Sequence, residues 1–132
     1  MNSAPETMYT EIGRAALSLA EGLAGKLLVY AEIEDGVVSA DVFYTNQDGI
    51  VRFRFGPEPM QALIYAFWGQ WKSEPGNREW RTMSYVIDNG KFKVDFVYPD
   101  QINADEDISL RRPEAVKKHF GNVKVDYTKP NG

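Results

Sequence analysis

Lys26-Leu27-Leu28-Val29-Tyr30-Ala31-Glu32-Ile33-Glu34-Asp35-Gly36-Val37 is the stretch on which the fold turns. Leu27, Val29, Ala31 and Ile33 share one face, and Leu28, Tyr30, Glu32 and Glu34 share the other, which is the two-residue period of a β-strand. Asp35-Gly36 then gives the strongest short hairpin signal, because a two-residue primed turn needs positive φ at both central positions. Val37 to Tyr44 should therefore pair back antiparallel. Beyond a second turn cluster at Asn46 to Gly49, the run Ile50 to Phe55 alternates Val51, Phe53 and Phe55 with Arg52 and Arg54, and adds a third strand to a meander.

Upstream, the period is helical. Ile12, Ala16, Leu19 and Leu23 recur at three- and four-residue steps across about Pro5 to Leu23, and Gly25 follows as a C-terminal stop. Downstream, Gly56, Pro57 and Pro59 break the meander, and Met60, Leu63, Ile64, Phe67, Trp68 and Trp71 mark the cleanest amphipathic helix of the chain. Trp80 to Asp88 and Lys91 to Tyr98 alternate around Asn89-Gly90, a second hairpin in which Phe92, Val94, Phe96 and Tyr98 share the core face. After a polar loop from Pro99 to Ser109, Arg112-Pro113 opens a short helix carrying Val116 and Phe120, and Val123, Val125 and Tyr127 have the spacing of a short edge strand. The expected architecture is α+β: an antiparallel sheet of about five strands, meander plus hairpin, with helices packed on one face. It forms a single domain over residues 1–132, of which 1–8 and 128–132 should fray.

Composition narrows the function. The 132 residues contain no cysteine, so disulfides, thiolate zinc sites and a cysteine nucleophile are excluded. Lys+Arg 15 against Asp+Glu 19 gives a net charge of −4, which argues against binding the nucleic-acid phosphate backbone; a basic protein partner would suit it, but a modest negative charge by itself mainly keeps a protein soluble. No basic leader precedes an apolar stretch and no run is long enough to span a bilayer, so a cytoplasmic location and no membrane partner are expected.

Candidates for chemistry are few. His119 is the single histidine and sits late in a helix, where a partly exposed imidazole near the terminal carbonyls needs no function; no second histidine completes a metal site, and no cofactor is expected. Glu32, Glu34 and Asp41 could meet across the first hairpin, and Asp88 and Asp95 across the second, as acid–base or cation-binding pairs; the plainer reading is the solvated face of a sheet. The glycines match no phosphate-binding motif. Asp105, Glu106 and Asp107, followed by Arg111-Arg112 and Lys117-Lys118, make either a solvated loop before a helix or an acidic element that steers a partner.

Val29-Tyr30-Ala31-Glu32-Ile33, Phe43-Tyr44, Trp80 and above all the run Asn89-Gly90-Lys91-Phe92-Lys93-Val94-Asp95-Phe96-Val97-Tyr98-Pro99-Asp100, in this order around two helices, resemble the YezG-like family of bacterial immunity proteins. The resemblance extends over Tyr9 to Tyr127 and carries no catalytic motif. It implies an antitoxin, not an enzyme, that binds the toxin domain made by the same cell, often a nuclease, whose basic cleft would suit an acidic inhibitor. Glu32, Glu34, Asp41, Asp105, Glu106 and Asp107 are the contact candidates. Two other readings stand beside it: a small-molecule-binding or enzymatic domain with its pocket between the sheet and the 57–72 helix, and an adaptor with an exposed sheet edge.

Overall fold

The computed structural model describes residues 4–34, 36–102, 108–121 and 123–127. Its elements follow the order α1 (Ala4–Leu19), β1 (Leu23–Glu34), β2 (Val37–Asn46), β3 (Val51–Phe55), α2 (Glu58–Ser73), β4 (Thr82–Asp88), β5 (Lys91–Val97), a 3-10 turn at Pro99–Gln101, α3 (Ile108–Phe120) and β6 (Val125–Asp126). The α+β class is as the periodicities require. One six-stranded sheet has the order β5-β4-β1-β2-β3-β6; every pairing is antiparallel except that of β6 with β3, which is parallel.

The first hairpin closes with Glu34 opposite Val37 and Gly36 at φ 77°; Asp35 itself lies outside the described residues. The second turns on Asn89 and Gly90, both at positive φ, with Asp88 opposite Lys91. β4 returns to pair with β1, so β1 is central, hydrogen-bonded along both edges.

Helices cover both faces of the sheet, in place of the single face expected. α1 and α2 lie on the side of Leu27, Val29, Ala31, Val42, Met83 and Tyr85, to which they add Ile12, Ala16, Met60, Ile64 and Phe67. On the opposite side Leu28, Phe43, Val51 and Phe53 form a second apolar surface, and α3 closes it with Val116 and Phe120. The physical reason is legible in β1: Leu28 and Tyr30 are buried, as Leu27 and Val29 are, so the strand needs cover above and below.

Three local expectations change. α1 ends at Leu19 and the reversal uses Gly22 at φ 82°, while Gly25 is a strand residue beside an irregularity in the β1–β2 register. Residues 4–8, expected to fray, belong to α1; 1–3 and 128–132 lie outside the described residues. α3 begins at Ile108, so Pro113 stands inside the helix and not at its start, and has no amide hydrogen to give the carbonyl four residues earlier.

Candidate functional site

α3 does not cover its face of the sheet completely. At the turn end of β1 and β2 an open groove of about 680 Å³ remains, with Tyr30, Glu32, Glu34, Val37, Asp41, Phe55 and Arg112 on its walls. Register explains the gathering. Tyr30 lies opposite Asp41, Glu34 opposite Val37, and Asp41 opposite Phe55, so these side chains project from the α3 face of three adjacent strands. β3 ends at Phe55, where the Gly56 amide donates to the Ala40 carbonyl at 2.8 Å and the chain leaves for α2. Gly56 must be glycine there, since a Cβ would stand 2.6 Å from that carbonyl oxygen.

Three of the six nominated contact residues meet in this groove, though not as a solvated acidic surface. Glu32 is 7% exposed and Asp41 8%. The Tyr30 hydroxyl donates to Glu32 Oε2 at 2.9 Å, and Arg111 Nε lies 3.4 Å from Glu32 Oε1. Arg112 Nη1 donates to Asp41 Oδ2 at 3.0 Å while its guanidinium lies over the Phe53 ring, 5.2 Å from the centroid. Burial pushes the Asp41 carboxyl up from its ordinary range, and the Arg112 hydrogen bond and charge oppose that shift. Glu34, by contrast, is exposed and pairs with Arg81 at 3.1 Å. Arg112 thus occupies an oxygen of Asp41, whereas Glu32 Oε1 and Arg111 Nε are buried without a hydrogen-bond partner among the described residues and meet only as an ion pair.

Arg111 and Arg112, part of a divided charge run in the sequence, are thus the residues that hold the site together. The signal for Arg112 is helical spacing: Arg112, Val116 and Phe120 fall on one stripe, so its guanidinium is carried onto the buried side. Asp105, Glu106 and Asp107 lie outside the described residues. Asp88 and Asp95 do not meet, since Asp88 faces Lys91 and Asp95 faces Ser84. His119 is half-buried and its pKa is lowered by burial and by Lys118, Lys26 and Lys93, against an opposing Asp95; Lys26 Nζ donates to the His119 carbonyl at 2.7 Å and adds its charge to those of Lys117 and Lys118 in the last turn of α3. Among the described residues no group of three His, Cys, Asp or Glu side chains could hold a metal ion, and no helix is long and apolar enough to cross a membrane.

Beside the groove, two large apolar side chains face solvent: Val37 is 69% exposed and Phe55 66%. The space between the sheet and α2, the other expected site, is filled by packed rings, with Trp71, Trp80 and Phe96 at centroid distances of 4.9 and 5.3 Å. The recess beside Phe67 and Trp71 holds about 40 Å³, far less than the roughly 300 Å³ of a small-molecule site. The Trp68 and Trp71 indole N–H groups donate to the Trp80 and Arg78 carbonyls, both at 2.9 Å, and so pin the segment between α2 and β4. No protein-family model matches the chain, and no curated protein matches it.

Proposed function

We propose that the chain is a stoichiometric protein inhibitor, an immunity protein that binds a basic toxin domain, nuclease-like in its charge, in the cytoplasm, and that it binds through the groove at the β1–β2 turn. The observation that carries this reading is the pairing of exposed Val37 and Phe55 with charged groups already locked in place. Interfaces commonly combine an apolar anchor that loses its water with a polar rim. Asp41 is held by the Arg112 hydrogen bond and Glu32 by that of the Tyr30 hydroxyl, so little side-chain freedom remains to be lost on association. The chain's charge of −4 would speed encounter with a basic partner. The resemblance to YezG-like proteins supplies the biological context.

The test is co-expression with the toxin domain encoded beside this gene, followed by titration of toxin activity with purified protein. Rescue and a stable complex are expected. Phe55→Ala should weaken the complex at least about 30-fold, the size of an anchor residue of about 2 kcal/mol, while leaving thermal stability nearly unchanged. Undiminished toxin activity in excess protein would sink the inhibitor reading; full affinity in Phe55→Ala would move the contact surface away from the groove.

A further inference from the structure

The other side of the sheet carries its own information. Among the described residues β5 is an edge strand, paired only with β4. Because Asp88 and Lys91 flank a two-residue turn, Lys91, Lys93, Asp95 and Val97 direct their backbone groups toward β4; accordingly, the Arg81 amide donates to the Val97 carbonyl at 2.7 Å. Phe92, Val94 and Phe96 therefore present their N–H and C=O groups outward. Their side chains lie on the α1–α2 face, and those of Lys93 and Asp95 on the α3 face. Phe92 is 50% exposed. Neither Lys93 nor Asp95 has a hydrogen bond or ion pair among the described residues.

We propose that β5 pairs antiparallel with β5 of a second copy about a twofold axis at Val94, joining two sheets into one. The charges select this register. With Val94 opposite Val94 of the second copy, Lys93 faces Asp95 and Asp95 faces Lys93, while Phe92 meets Phe96 on the other face. Shifting the axis to Lys93 or to Asp95 sets like charges opposite each other, which cross-strand geometry penalises. Phe92, Val94 and Phe96 would each exchange both backbone hydrogen bonds with their opposite numbers, and the Lys93–Asp95 pairs would fall at the closer, non-hydrogen-bonded positions. Lys93, which keeps other strands from adding to this edge, meets an opposite charge in this register. Self-association is independent of the inhibitor reading, and because the groove lies across β1, β2 and β3, it would leave one groove free on each outer flank.

Sedimentation velocity on the full chain over a range of concentrations reads the result. A dimer is expected for the native sequence. Lys93→Asp and Asp95→Lys should each weaken it roughly tenfold to hundredfold, because both cross-strand pairs become repulsive. Mixing the two single variants should restore a dimer containing one of each, and the double variant should restore the homodimer. Val94→Pro, which removes an outward N–H that β4 does not use, should give a folded monomer. A native chain that stays monomeric at hundreds of micromolar, or single variants that dimerise as well as the native chain, overturns the proposal; so does failure of the mixed pair to associate.

Discussion

Glu32 and Asp41 are both carboxylates paired with arginine on the same sheet face, and they should respond differently to loss of charge. The Arg111 side chain is 11% exposed and the Arg112 side chain 38%. Glu32→Gln strands a buried cation and should cost about 3 to 5 kcal/mol. Asp41→Asn leaves Arg112 able to reach water and relieves the burial of an ionised carboxylate, so its cost should stay within about 1 kcal/mol. Urea unfolding of the two variants side by side checks the contrast; equal losses would show that the two pairs are energetically alike. The proton linkage of Asp41 differs from that of His119. Folded Asp41 holds its proton more tightly than the unfolded chain, so its titration favours the fold as pH falls toward the carboxylate range. His119 is depressed in the fold, so the unfolded chain takes up the proton first and stability falls as pH drops below about 6.5. His119→Gln should flatten the stability curve between about pH 7 and 5.5, a clean comparison in a chain with one histidine.

At the scale of elements, α1 approaches β4 closely at Gly13. A Cβ there would lie 2.6 Å from the Tyr85 hydroxyl, which donates to the Tyr9 carbonyl at 2.8 Å. Gly13→Ala should therefore destabilise by about 1 to 3 kcal/mol despite the better helix propensity of alanine. Tyr85→Phe removes the obstructing oxygen, and the double variant should recover most of the loss; additive losses in a thermal-melt cycle would place the strain elsewhere. The elements themselves were legible, because period-two alternation and turn dipeptides are local signals. β1 to β5, both hairpins and α2 follow from them. The placement of α3 was not, because a helix with Val116 and Phe120 as its apolar stripe can cover either side of a sheet. What decides is whether Leu28, Phe43 and Phe53 face water, and their exposure depends on strand order. The pairing of Glu32 with Arg111 was hidden for the same reason: the residues are far apart in the chain and meet only when α3 crosses β1. The groove is the remainder of that crossing.

For the molecule as a whole, the acidic balance bears on kinetics more than on fold. If the groove meets a basic partner, association should slow steeply with added salt while the dissociation rate changes little. Stopped-flow binding between low and physiological ionic strength reads this directly, and a salt-independent association rate would deny the chain's charge any steering role. The central position of β1 has a different consequence. Alternate residues of one strand belong to two apolar layers on opposite faces, so neither layer can melt while the other remains intact. Heating should give one calorimetric peak whose enthalpy agrees with the van't Hoff value. The amides of Leu28 to Ala31 should exchange with deuterium only when the entire domain opens, making this strand the slowest clock in the protein.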